Sequence, residues 1–276
     1  MSVKPINIVL KISSVLMVLF LGLVCCKKKL EDPVTPELSS VKEISIADAD
    51  LNSIFGDVDT FIDSGSIVPF GNPIRKDTSV NGYSKYIELN YNGSVYRNLS
   101  RIGTVKCFVS GSRKAGNFRD SVIFENTRIN KRSIKGYFKT VQTQTAVTDS
   151  WTFDFSSKLI AENSNGNKIQ FESIGTKTKT GIKTRGDSII YKQDDIWNNS
   201  DTWLVQDSKG QLFSVRTTSP LVIKANCSYH YPVQGVQDFF NASQNINYRV
   251  KFGDGECNSY ASYLNEKGLE YIFFIE

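Results

Sequence analysis

A single histidine, two methionines and three tryptophans stand among 276 residues, so the chain holds little that enzymes commonly lean on. A Ser-His-Asp or Cys-His arrangement has only His230 to build on, and neither a nucleophile elbow nor a His-Glu-x-x-His pattern accompanies it. No spacing of cysteine and histidine suggests a zinc site. Long apolar runs are equally scarce, with one at residues 12–24, and seven prolines and 19 glycines punctuate the rest. The net charge of +5 is modest and gives no reason to expect nucleic acid as a partner. What is plentiful is core-forming material: 40% hydrophobic and 12% aromatic residues suffice for one large or two ordinary domains.

The one apolar run, Ile12 to Val24, follows Lys4 and Lys11 and ends in Cys25, Cys26 and the lysines 27–29. At about 1.5 Å of helical rise per residue it reaches about 20 Å, short of the roughly 30 Å hydrocarbon core that a spanning helix must cross. It therefore reads as a lipoprotein export signal, residues 1–25, with a cysteine that is acylated and becomes the N-terminus. Leu23-Val24-Cys25 before Cys26 places an aliphatic residue three positions upstream and a small one at the cleavage point. Cys26 is the expected lipid attachment site and Cys25 the alternative. A span that starts at Pro5 with Lys11 snorkelling is the competing reading. The expected membrane contact is the lipid anchor; acyl chains at roughly 0.8 kcal/mol per buried methylene outweigh the lysine trio at about 1 kcal/mol each. Cleavage lowers the charge to +3 by removing Lys4 and Lys11.

An exported chain meets an oxidising compartment, where Cys107, Cys227 and Cys257 are free to pair. Cys227 and Cys257 are the expected disulfide, closing a loop worth about 3–4 kcal/mol in the chain-entropy picture. Cys107 alternates with polar residues in Thr104–Val109 and reads as a buried thiol.

Residues 26–44 carry Glu31, Asp32, Pro33, Pro36, Glu37, Ser39 and Ser40 and are expected to form a flexible tether. Over residues 45–65 the period changes. Ala47, Leu51, Ile54, Phe55, Val58, Phe61 and Ile62 recur at three and four residues, Ser45 or Asp48 can cap the start, and Gly65 can close the end. This predicts one amphipathic helix whose apolar stripe docks on the remaining body, residues 66–276. There, short alternating segments rich in Val, Ile, Thr, Tyr and Phe predict strands such as Tyr86–Tyr91, Gly103–Ser110, Ile134–Val147 and Lys168–Glu172. Asn92-Gly93, Asn165-Gly166, Lys209-Gly210 and Asp254-Gly255 supply hairpin turns. The expected fold is mostly β: an antiparallel β-sandwich or an extended curved meander, with a soft boundary near residues 147–150.

Several clusters invite a chemical reading. Asp254, Glu256 and Asn258 alternate in a way that suits calcium weakly, against the plainer reading of a turn before the disulfide. Asp194, Asp195 and Asp201 lie among Tyr191, Trp197 and Trp203, an acidic and aromatic neighbourhood suited to stacking and hydrogen-bonding a sugar. Lys177 and Lys179 share a strand face by period, and a solvated face that discourages edge pairing outweighs a basic binding patch. No cofactor is expected.

The C-terminal words Ser219-Pro220-Leu221, Pro232-Val233-Gln234-Gly235 and Gly253-Asp254-Gly255-Glu256-Cys257-Asn258, with Arg101-Ile102-Gly103-Thr104 and Ile134-Lys135-Gly136, resemble a group of uncharacterised cell-envelope lipoproteins of Bacteroidetes. Asn258 and Lys251 stand where that group often has aspartate. The resemblance implies an outer-membrane lipoprotein with a mostly β body and no assigned activity. In that lineage Asp120-Ser121-Val122 and Asp187-Ser188-Ile189 are similar to a short O-glycosylation sequence, making Ser121 and Ser188 candidate glycan carriers. The leading expectation is a non-enzymatic outer-membrane lipoprotein whose rigid β body binds a glycan or an envelope protein, or serves envelope structure. The alternatives are an adhesive or fimbrial subunit assembling by strand exchange, and a carbohydrate-binding or hydrolytic envelope protein.

Overall fold

The computed structural model describes residues 36–64, 74–77, 80–96, 99–144, 150–180, 196–224, 227, 231–264 and 268–275. One helix, α1 (Pro36–Ser64), precedes 13 strands. In chain order the strands are β1 (Ile74–Asp77), β2 (Lys85–Tyr96), β3 (Leu99–Ser110), β4 (Arg119–Ile129), β5 (Arg132–Gln144), β6 (Ser150–Asn163) and β7 (Lys168–Thr180). They continue as β8 (Ile196–Gln206), β9 (Leu212–Lys224), β10 (Gln234–Asn241), β11 (Ile246–Phe252), β12 (Tyr260–Leu264) and β13 (Glu270–Phe274). All belong to a single antiparallel sheet in which each strand pairs with its neighbours in sequence. The fold is thus the curved meander, and the sandwich alternative gives way to it. Strand pairing from β5 to β6 runs from Arg132↔Asn163 to Gln144↔Thr152, so no boundary divides the sheet near residues 147–150. Residues Leu38–Glu276 make up one compact unit.

The helix explains the curvature. From Ile44 to Asp59 no residue of α1 is exposed, and among the described residues one sheet is all that covers it. A sheet can bury the whole circumference of a helix only by curling round it. Contacts from widely spaced parts of the sheet bear this out. The Ser208 hydroxyl, in the β8–β9 turn, donates to Glu43 at 2.6 Å. Arg132 at the start of β5 donates to Asp50, Arg101 of β3 to Asp57, and Arg113 of the β3–β4 connection to Asp59 at 2.7 Å.

Bulges and glycines bend the strands to this path. At Gly103 (φ 94°) in β3 the Asn126 carbonyl oxygen of β4 comes so close that an added Cβ would lie 1.7 Å from it, where the β3–β4 register shifts between Ile102 and Val105. The inward face supplies the core: Val105, Phe124, Ile134, Phe153, Leu159, Phe213, Val215 and Phe239 meet Ile44, Leu51 and Ile54 of the helix. The outward face keeps Val141, Ile174 and Leu204 exposed.

Three expectations change. The stretch expected as tether is helical from Pro36: proline suits a first helical turn, whose N–H has no intrahelical partner, and Ser40 and Val41 are fully buried. Ser45 and Asp48 therefore lie inside the helix instead of capping it, and the helix has no solvent face through its middle. Asn92-Gly93 is not a hairpin turn. It lies within β2, beside a register shift between Asn92 and Val95. Asn165-Gly166 and Lys209-Gly210 do form the β6–β7 and β8–β9 turns, with the glycines at φ 81°. Among the described residues no helix is long and apolar enough to cross a membrane.

Candidate functional site

Asp48, Asp50, Asp57 and Asp59 of α1 fall on two stripes, and the sheet treats them differently. The first, Asp50, Ser53 and Asp57, is spaced at three and four residues and so lies on one side of the helix. Arg101, wholly buried, donates through Nε to Asp57, through Nη2 to Ser53 Oγ at 2.8 Å and through Nη1 to the Leu99 carbonyl at 2.9 Å. The Tyr91 hydroxyl also donates to Asp57, at 3.4 Å. Asp50 meets Arg132, yet burial outweighs that guanidinium and pushes its carboxyl up to about 6.

The second stripe, Asp48, Asn52, Phe55, Gly56 and Asp59, faces β5 to β9 across a cavity of about 60 Å³. The opposite wall comes from alternating inward residues of β8, namely Trp197, Asn199, Asp201 and Trp203, with Phe138, Phe155, Phe171 and Lys177 beside them. Phe55 stacks on Phe138 with centroids 4.0 Å apart, and Phe138 on Phe155 at 5.4 Å. Ser157 and Ser173, paired across β6 and β7, share a hydrogen bond of 2.6 Å in the lining. Asp48, Asn52, Phe55, Trp197, Asn199 and Asp201 are all half-buried, so the cavity reaches solvent along this row and is a cleft.

Gly175 of β7 makes room for Asp201. The two residues are register partners, and a Cβ on Gly175 would lie 2.7 Å from the Asp201 Cα and Cβ. Opposite Asp201 the β8–β9 pairing lapses between Asn199↔Leu221 and Thr202↔Arg216, and Thr217 turns its hydroxyl to donate to the carboxyl. The Trp203 indole and the Gln237 amide lie against Asp201 and help hold its charge, but neither N–H meets hydrogen-bond geometry with any acceptor. The Asn199 Oδ1 is also without a partner.

Burial raises the Asp48 carboxyl well above the ordinary range, and the neighbouring Asp201 raises it further; the Asn52 amide, donating at 3.0 Å, pulls the other way. Asp201 is raised by burial against the Thr217, Trp203 and Gln237 donors. Opposite Asn199 in the β7–β8 register, Lys177 bonds Asp59 at 3.3 Å, which Arg113 also engages. Its ammonium lies over the rings of Trp197 at 4.9 Å and Phe138 at 5.1 Å. Lys179 lies over Trp197 at 5.2 Å and Trp151 at 5.8 Å. The expectation of a solvated lysine face is overturned: both lysines turn inward and are buried, because period two put them on the face that wraps the helix and ring faces replace part of their hydration.

The remaining expected positions are scattered. Asp201 joins the cleft with Trp197 and Trp203, while Asp194, Asp195, Tyr191 and His230 lie outside the described residues, as do Cys25, Cys26 and Ser188. Ser121, the third residue of β4, is 6% exposed and flanked on both sides by β3 and β5. A transferase cannot reach a hydroxyl there in the folded protein, so Ser121 is withdrawn as a glycan carrier. Cys227 and Cys257 are joined by a disulfide and Cys107 is free and buried, its thiol raised by burial. The residues of the weak calcium reading, Asp254, Glu256 and Asn258, lie together in one turn. Asp254 spends its Oδ1 on the Glu256 N–H at 3.1 Å and the Asn258 amide at 3.0 Å, closing a turn. Among the described residues no three His, Cys, Asp or Glu are placed to hold a metal.

Sequence reasoning missed Asp48, Asn52 and Asn199. The available signal was the run of acids at 48, 50, 57 and 59 in a helix whose apolar residues alone need no such partners. No family model, no curated protein and no solved structure matches this chain.

Proposed function

We propose that the protein is a non-enzymatic lipoprotein of the bacterial outer membrane, held by acyl chains on Cys26, whose β body binds a small ligand in the cleft between α1 and β5–β9. The anchor is supported by the apolar run ending in Cys25-Cys26. The observation that carries the binding role is the cleft itself: aromatic walls, a handful of polar groups converging from helix and sheet, and two half-buried carboxyls with raised affinity for protons. Stability alone gives no reason to keep an unfilled space edged by costly polar groups. Two measurements test the reading. Palmitate labelling of cells should tag the protein and be lost in Cys26→Ala. A ligand panel screened on the full chain should yield a binder whose affinity falls at least tenfold in Asn52→Phe, which fills the cleft; a binder indifferent to that substitution places recognition elsewhere.

A second reading, an adhesive subunit assembling by strand pairing, is favoured by β13. Among the described residues that strand pairs only with β12 and exposes Ile272 and Phe274 at 70% and 60%, with Leu269 at 54% just before it. Because Phe273 and Ile275 are buried, the informative variant is Ile272→Lys with Phe274→Lys. Loss of concentration-dependent assembly with an unchanged fold supports this reading, and assembly that persists removes it.

A further inference from the structure

Asp207, buried in the β8–β9 turn, accepts from the Lys209 and Gln211 backbone N–H groups; the acids between helix and sheet fall into two sets. Asp50, Asp57 and Asp59 each bond an arginine or lysine, and Asp120, bonded to the Thr140 N–H and hydroxyl at 3.1 and 2.5 Å, feels Lys177 and Arg113. Asp48 and Asp201 have no basic partner among the described residues: Asp48 accepts from Asn52, Asp201 from Thr217, and each feels burial before any other influence. Both line the same cleft. We infer that this cleft receives the ammonium end of a small organic cation, with Asp48 and Asp201 supplying the countercharge; the inference rests on the cleft being a ligand site, as proposed above.

Further observations agree. The rings of Trp197 and Trp203 line the cleft, and the Trp203 indole lies against the Asp201 carboxyl. The Asn199 Oδ1, without a donor, adds an acceptor to the two carboxyls, and acceptors with aromatic faces are what an alkylammonium uses. Size permits it: the cleft has about 60 Å³ of space against the about 10–15 Å³ that one water needs, and it opens to solvent along the half-buried row, so a small ammonium group fits with the rest of the ligand extending outward. Lys177, the register partner of Asn199, does not counter this, because its ammonium is engaged by Asp59 and covered by ring faces.

The test uses the full chain with ¹⁵N-labelled indoles, which reports Trp151, Trp197 and Trp203 separately. It is titrated with n-butylammonium and, at matched ionic strength, with 1-butanol, which has the same heavy-atom count and no charge. Butylammonium is expected to move the Trp197 and Trp203 signals at a half-saturation at least tenfold below that of butanol. Asp48→Asn and Asp201→Asn should each weaken the response at least fivefold while leaving the Trp151 signal in place. If both probes act alike, or if the two variants bind butylammonium as the native chain does, the cationic assignment is wrong and the cleft remains a site for a neutral ligand. If neither probe moves either indole and no panel compound responds to Asn52→Phe, the cleft is not a site at all. The comparison of the two probes on the native chain decides the matter even where a variant fails to fold.

Discussion

The two acidic stripes of α1 are offset by two residues, about 200° around the helix, and solve the same problem in opposite ways. Asp50, Ser53 and Asp57 are met by Arg132 and Arg101 from the sheet, with no space left between. The second stripe is matched at Asp59, by Arg113 and Lys177, but Asp48, Asn52 and Phe55 look across a cleft at Asn199 and Asp201, and among the described residues no base pairs with Asp48 or Asp201. The difference teaches where structure ends and function begins: a buried charge that is matched holds helix and sheet in register, whereas a buried carboxyl left unmatched beside a cavity has been kept at a cost.

The sharpest way to break the matched stripe is Arg101→Met. It leaves Asp57 buried without its guanidinium, and the expected loss is about 3–5 kcal/mol, readable by denaturant unfolding. Converting Asp57→Leu in the same chain should recover part of that loss, since removing both members leaves no uncompensated charge. A single Arg101→Met that costs under about 1 kcal/mol would mean the stripe is not matched in the sense described.

Next in size is a pH effect carried by acids whose folded carboxyls are raised. Asp50 and Asp120 are both pushed up to about 6 from an ordinary 3.8, in each case chiefly by burial, and Asp48 and Asp201 shift in the same direction. A carboxyl that binds its proton more tightly when folded contributes stability that is complete below the unfolded value and is lost as pH rises through the folded one. The melting temperature should therefore rise, not fall, between pH 7.5 and 5.5. Asp120→Asn, whose amide oxygen can still accept from Thr140, should flatten the profile, with a change on the order of 1–3 kcal/mol at pH 7.5. A stability that declines steadily through that window would contradict the raised values.

How much of this was legible in the residues depends on which face they occupy. Strands whose inward residues are apolar, such as Gly103–Ser110 and Lys168–Glu172, announce themselves by alternation. Strand β8 does not, because its inward residues include Asn199 and Asp201, and Ile196–Gln206 reads as a loop with two tryptophans. β10 hides behind Gly235, and β1 and β12 are too short to show a period. The helix was visible through Leu51, Ile54 and Val58, but amphipathic reasoning assigns its polar residues to water. Nothing local tells Asp57 that Arg101, 44 residues on, will bury it. The cleft is a product of curvature, and curvature depends on glycines such as Gly103 and Gly175 whose role is a close approach between strands.

The unmatched stripe is sharpened by Asp201→Asn. If the carboxyl is retained for a ligand, replacing it with an uncharged group of the same shape should cost less than about 1 kcal/mol at pH 7.5 and can raise stability, because the desolvation penalty disappears. Thr217 still finds an oxygen to donate to. The same change at Asp57, Asp57→Asn, weakens bonds to Arg101 and should cost several times more, about 2–4 kcal/mol. Equal losses at the two positions, measured side by side by thermal unfolding, would erase the distinction between the stripes.

The smallest effect belongs to charges outside the wrap. Lys158 and Glu172 face each other across β6 and β7 at 3.8 Å with both side chains about two-thirds exposed, and water screens what little they gain. Lys158→Met should change stability by less than about 0.5 kcal/mol, and less still in 0.5 M salt. Lys177, on the inward face of β7, bonds a helix carboxylate and three rings. Its change to methionine leaves Asp59 leaning on Arg113 alone and should cost at least several times more at either salt concentration. A comparable response at the two lysines would imply that water enters the cleft as freely as it washes the outer face, which would undercut the matched and unmatched interior together.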